Sequence, residues 1–185
     1  MSIYKLSIFS LLILVIAFSS CDTKNPYDTG PAYDIEGNLA KDSLLIAAYL
    51  KTAEIDSLYR IYDPSGVVII VQKEGSGSRP ITGNAVFTRY IGSLMSDGSV
   101  FDTNIQQVAI DNGLFVEGKK YDLLSFSLGA GTVIQGWDIG FRRLRSGSKA
   151  QLIIPSTYAY RDAANNDRIP ANSILIFEVD FKGME

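Results

Sequence analysis

An α+β domain built on antiparallel strands is the fold class this sequence predicts, and three observations predict it. Segments with strand patterning follow one another with turn signals between most of them. A single short helix, residues 136–144, interrupts them and sets Trp137, Phe141 and Leu144 on one face. One longer helical stretch comes before them. This order is not the strand–helix alternation of a doubly wound sheet. The chain has 185 residues, 46% hydrophobic and 20% charged, which is room for one globular domain plus extras.

The elements follow in order. Residues 1–20 read as a signal peptide: Lys5 gives a positive start, residues 6–18 are mostly apolar, and Ser19 and Ser20 are small. Such a run is short for a spanning helix. Residues 21–37 are polar and turn-rich, with Pro26 and Pro31, and read as a flexible tether. Residues 38–66 are predicted to hold an N-terminal helix and a turn. Leu44, Leu45, Ala48 and Tyr49 share its apolar face, Asn38 or Asp42 caps its start, and Asp63-Pro64-Ser65-Gly66 makes the turn. The helix is either a collar packed on the domain or a dimerisation arm, and the shortness of its stripe favours the collar.

The main domain is predicted over residues 67–185. Residues 67–72 form a β-branched strand and residues 75–80 a glycine–serine loop. Residues 86–94 form a second strand, Ser96-Asp97-Gly98-Ser99 a hairpin turn, and Val100 and Phe101 the start of the return strand. In residues 105–118, Ile105, Val108 and Ala109 fit a turn or two of helix. Residues 121–128, 149–154 and 174–181 complete the strands, and Gly147 lies where a helix C-terminal glycine is favoured.

Composition removes several chemistries. Histidine is absent, and with it the commonest general base and metal ligand. The one cysteine, Cys21, allows neither an intrachain disulfide nor a cysteine cluster for zinc. A net charge of −3 argues against nucleic-acid binding, and the basic group Arg142, Arg143 and Arg145 reads as the solvated face of the short helix. The glycines near residue 129 miss the dinucleotide spacing, and those near residue 75 lack the phosphate-loop lysine. What remains is an apolar, aromatic set with a few polar edges, which suits a dry pocket for an extended peptide.

Three segments carry a resemblance: Tyr90-Ile91-Gly92 through Gly98-Ser99-Val100-Phe101-Asp102; Gly129 to Trp137 with Gly140; and Ile154-Pro155 through Tyr160, closing at Ile169-Pro170 and Leu175-Ile176-Phe177. Over residues 83–181 the chain resembles an FKBP-type peptidyl-prolyl isomerase domain. The resemblance implies an FKBP-like antiparallel sheet curled around the short helix. It implies a pocket lined by Tyr90, Phe101, Asp102, Val133, Ile134, Trp137, Tyr160 and Phe177. It further implies that the Tyr160 hydroxyl and the Ile134 backbone N–H donate to the bound peptide carbonyl, and that Asp102 orders the polar edge near the reacting carbonyl. Leu124 stands at the pocket edge where the family commonly has phenylalanine. Arg161 follows Tyr160 where glycine is usual, and Arg168 precedes Ile169 where an apolar residue often stands. Residues 162–167 are polar, and residues 105–120 are longer than the matching bulge in minimal members. These departures bear on substrate preference and turnover.

Phe18-Ser19-Ser20-Cys21 likewise resembles the lipobox of bacterial lipoproteins, which implies lipidation at Cys21 and anchoring to a membrane. The combined expectation is a prolyl isomerase of the cell envelope, facing the periplasm or exterior and acting on proline-containing exported polypeptides, with no metal or other cofactor. The alternative is a non-catalytic proline-peptide binding module or chaperone in an envelope assembly.

Overall fold

The computed structural model describes residues 32–163 and 167–185. The predicted signal peptide, Cys21 and the first part of the predicted tether lie outside the described residues, as do residues 164–166 of the polar loop. The elements are helix α1 (Ile35–Thr52), strands β1 (Tyr59–Tyr62), β2 (Val68–Lys73), β3 (Ala85–Leu94) and β4 (Val100–Thr103), helix α2 (Gln106–Asp111), strand β5 (Leu124–Ser127), helix α3 (Gln135–Arg143), strand β6 (Lys149–Ile154), a 3-10 turn (Ser156–Tyr158) and strand β7 (Leu175–Met184). All strand pairings are antiparallel, in the order β1-β2-β6-β7-β3-β4. The ten-residue β3 shares its outer edge, pairing with β5 near its start and β4 near its end. The α+β class is therefore as expected.

One face of the sheet packs on α3. Trp137, Phe141 and Leu144 are all buried, in one cluster with Val67, Ile69, Val71, Leu152, Ile154 and Phe177. The other face meets α1 through Ile46, which packs with Val68, Ile70, Ile153, Ile174 and Ile176. Covering on both faces explains the unbroken apolar run of β2, where alternation would mark a strand wet on one side. It also gives α1 the role of a collar on the sheet.

Four local expectations need correction. First, α1 begins at Ile35, inside the segment read as tether, and its cap is Asp34, whose side chain accepts from the Gly37 N–H at 2.9 Å. Asn38 and Asp42 both lie within the helix. Second, its buried positions are Asp42 and Ile46, with Tyr49 and Leu50 packed beside them, while Leu44 is 75% exposed and Leu45 47%. The true stripe includes a buried carboxylate, which hides it from a hydrophobic count. Third, Tyr59–Tyr62 is a strand paired with Val71–Val68, and Asp63-Pro64-Ser65-Gly66 is the hairpin turn joining β1 to β2. Fourth, the strand expected from Tyr121 begins at Leu124, and Gly147, at φ 91°, serves the turn closed by Ser148 N–H to Arg145 C=O rather than the end of α3.

The basic group at the end of α3 is also engaged. Arg143 donates twice to Asp63 of the β1–β2 turn, at 2.6 and 2.9 Å, and Arg145 pairs with Glu74 at 3.3 Å.

Candidate functional site: an aromatic pocket with a polar rim

The pocket sits where the sheet curls around the N-terminus of α3. Its lining is Tyr90 from β3, Phe101 and Asp102 from β4, Leu124 from β5, Thr132, Val133 and Ile134 from the loop before α3, Trp137 from α3, Tyr160 from beyond the 3-10 turn, and Phe177 from β7. The structure thus brings together every pocket residue expected from the sequence. Thr132 is the addition. Its place between Gly131 and Val133 in the pocket loop is the only signal the sequence offers for it. The cavity is about 230 Å³.

The floor is aromatic and edge-on. Tyr90 and Trp137 meet with centroids 5.3 Å apart at 81°, Trp137 and Phe177 at 5.2 Å and 87°, and Phe101 and Phe177 at 5.6 Å and 85°. Such T-shaped contacts suit the ring quadrupoles and fix each ring against its neighbours. Gly92 makes this possible. A Cβ there would stand 2.8 Å from carbons of both Phe101 and Phe177, so any side chain would push into the floor. Trp137 is 3% exposed, and its indole N–H has no hydrogen-bond partner among the described residues.

The rim is polar. Tyr90 donates its hydroxyl to Asp102 Oδ2 at 2.6 Å, while Asp102 Oδ1 accepts the Thr103 N–H at 2.8 Å. Both oxygens of the carboxylate are thereby committed, which orients it without consuming its charge. Buried Asn104 supports the strand pair: it accepts from the Tyr90 N–H at 2.9 Å and donates to the Thr88 and Asp122 carbonyls. Sequence reasoning passed over Asn104, whose role depends on three separate segments.

Burial first, then the hydrogen bond to Asp102 and its negative charge, with Tyr160 nearby, push the Tyr90 hydroxyl far above the ordinary tyrosine range. The folded state then holds a proton that the unfolded state releases above about pH 10. The corresponding stability is fully present below that pH and is lost as pH rises from there toward the folded-state value. Tyr90→Phe is therefore expected to flatten the alkaline fall in Tm between about pH 10 and 11 relative to the parent chain. Equal slopes in both proteins would contradict the Tyr90–Asp102 bond.

Two backbone features complete the rim. Ile134 precedes α3 with φ −60° and ψ 145°, and among the described residues its N–H donates to no backbone or side-chain acceptor. Tyr160 is held by its flanks: the Ala159 and Arg161 N–H groups both donate to the Ser156 carbonyl at 3.0 Å. Arg161 has φ 58°. The position where glycine is usual thus keeps the left-handed backbone that glycine favours, although the residue is arginine. Its guanidinium reaches the Thr157 carbonyl and lies over the Tyr33 ring. The longer bulge between β4 and β5 carries α2, with Ala109 buried, and Arg168 donates to the Gly113 carbonyl at 3.2 Å. Among the described residues, no group of three or more His, Cys, Asp or Glu converges to hold a metal ion, and no helix is long and apolar enough to cross a membrane.

Comparison with known proteins matches this architecture. Residues 77–182 match the family described as FKBP-type peptidyl-prolyl cis-trans isomerase. The chain is 34% identical over 122 residues to peptidyl-prolyl cis-trans isomerase FKBP4 of Homo sapiens, covering 64% of this chain and 24% of that protein. It is also 34% identical over 163 residues to FKBP53 of Arabidopsis thaliana, covering 85% of this chain and 30% of that one. The chain therefore spans only about a quarter to a third of these curated relatives. Among solved structures, that of AtFKBP13 aligns with TM-score 0.54 at 28% identity, covering 69% of this chain and 99% of that one. A peptidyl-prolyl cis-trans isomerase from Pseudomonas syringae pv. tomato DC3000 shares the fold with TM-score 0.60 at 24% identity, covering 84% and 99%. A family match across more than half the chain, centred on the strands and helix that build the pocket, shows that the protein belongs to the FKBP-type peptidyl-prolyl cis-trans isomerases.

Proposed function

We propose that this chain catalyses cis–trans rotation of X–Pro peptide bonds in exported polypeptides, from a lipid anchor at Cys21 in the cell envelope. The observation that carries the catalytic reading is the aromatic floor of Trp137, Phe177 and Phe101 beneath a rim of Tyr160, Ile134 N–H and Asp102.

Amide rotation needs no nucleophile. Its barrier, roughly 18–20 kcal/mol, comes from the partial double-bond character of the C–N bond. An apolar cavity favours the twisted amide, with its weaker charge separation, over the planar one that water stabilises. The Tyr160 hydroxyl and the Ile134 N–H supply donors for the peptide carbonyls at the rim. Asp102, held in orientation by the Tyr90 hydroxyl and the Thr103 N–H, orders the polar edge of the rim. Each tenfold acceleration requires only about 1.4 kcal/mol of preferential transition-state binding.

Exchange of a proline peptide, followed with the chain that starts after Cys21, tests this directly. Tyr160→Phe removes one donor and is expected to lower kcat/KM roughly 5–20-fold. Asp102→Ala, which also frees the Tyr90 hydroxyl, is expected to fall at least as far. No acceleration by a demonstrably folded parent chain would leave the alternative, a proline-peptide binding module that captures clients without turning them over.

The cellular part of the proposal rests on Lys5, the apolar residues 6–18 and Ser19-Ser20-Cys21. Incorporation of labelled fatty acid into the full chain, abolished by Cys21→Ser, is its expected test result. An anchored isomerase outside the cytoplasm would meet exported chains as they fold, and X–Pro exchange over tens to hundreds of seconds is slow enough to limit that folding.

A further inference from the structure

We infer that Asp42 of α1 is a positioning residue for the pocket, acting through Ser156 on the segment that carries Tyr160; this rests on the isomerase reading above. An aspartate midway along an 18-residue helix is locally unfavourable, and burying it to 3% exposure adds a desolvation cost. Its partners account for the placement. Asp42 Oδ2 accepts the Ser156 N–H at 2.8 Å and the Ser156 hydroxyl at 2.6 Å, and all of these groups are buried.

Ser156 is a hub. It opens the 3-10 turn after β6, and its carbonyl accepts the N–H groups of Ala159 and Arg161, the two neighbours of Tyr160. Its hydroxyl also meets the Tyr33 hydroxyl at 3.2 Å, and Tyr33 lies under the Arg161 guanidinium. The residues just before and within α1 thus hold both ends of the turn. No other element supplies the Ser156 N–H with an acceptor among the described residues. The strained φ of Arg161 makes the clamp consequential, because a left-handed arginine persists only where its surroundings over-determine it. Through this clamp, the collar helix on the far face of the sheet sets the position of one wall of the pocket.

The test compares Asp42→Ala, Asp42→Asn and Ile46→Ala in the chain that starts after Cys21. Ile46 is the buried apolar contact of α1 with the sheet, so its truncation lowers stability while removing none of the Ser156 bonds. At a temperature well below every melting point, Asp42→Ala is expected to lower kcat about tenfold with little change in KM. Exchange of the Ala159 and Arg161 amide protons is expected to rise by about the same factor. Asp42→Asn, which keeps an acceptor oxygen, recovers most of both. Ile46→Ala changes neither.

Equal losses in Asp42→Ala and Ile46→Ala would overturn the inference in favour of general loosening. So would unchanged amide exchange in Asp42→Ala. A parent chain without activity would refute the isomerase reading instead, and the amide exchange would still decide whether Asp42 positions the turn.

Discussion

Trp137→Ala is expected to remove about 3–5 kcal/mol of folding stability, the usual range for truncating a fully packed aromatic. The indole is 3% exposed and meets the rings of Tyr90, Phe126, Phe141 and Phe177. Domains of this size carry about 5–15 kcal/mol in total, so the variant sits near the edge of folding. Urea unfolding followed by circular dichroism checks it; tryptophan emission cannot follow the variant, since Trp137 is the only tryptophan in the chain. A loss below about 1 kcal/mol would show that the indole is not the core–pocket junction described here. Trp137→Leu separates stability from function. It fills most of the space but lowers the floor, so it is expected to stay folded while kcat/KM falls at least about tenfold.

The contrast between Trp137 and Asp42 shows which parts of the molecule were legible in the sequence. Trp137, Phe141 and Leu144 declare a helix face by spacing alone, and the structure buries all three. The pocket residues come from seven separate elements and loops, so no local pattern assembles them. Their joint placement followed from the family resemblance, and every expected residue lines the cavity. Asp42 failed for a physical reason. Asp and Asn are favoured helix caps, and sequence cannot say which of several near a helix start takes that position. Asp34 does, leaving Asp42 to a partner 114 residues away.

The strand Tyr59–Tyr62 was missed for a related reason. Its four residues continue the spacing of the helix before them, and only its pairing with β2 reveals it. The turn at Asp63 was nonetheless visible, and a hairpin turn ahead of a strand demands a strand before it. Arg161 shows the reverse case: the residue type departs from expectation while the backbone conformation does not.

Gly136→Val is expected to cost about 3 kcal/mol or more, and the reason lies in how α3 meets β6. A Cβ on Gly136 would overlap Ile154 Cγ2 and come within 2.8 Å of its Cδ1. Ile154 is fully buried and β-branched, so Cγ2 cannot swing aside without leaving its rotamer well. Gly136→Ala is correspondingly expected to cost about 1–2 kcal/mol net, the overpacking outweighing a gain of roughly 1 kcal/mol in helix propensity. One turn later, a Cβ on Gly140 would meet Leu152 at 2.8 and 2.9 Å, but those atoms are the far ends of a more pliable side chain. Gly140→Ala should therefore cost less than Gly136→Ala, although both glycines face the same strand. A double-mutant cycle gives the sharper test. Ile154→Ala alone should cost about 2–5 kcal/mol, and adding Gly136→Ala to it should cost almost nothing more, a coupling of about 1–2 kcal/mol measured by urea unfolding. Strict additivity would mean that the glycine is not there to admit Ile154. Because Gly136 lies two residues after Ile134 and directly before Trp137, the single variant is also expected to displace the proposed backbone donor and the pocket floor together, so its kcat/KM should fall even where most of the protein remains folded.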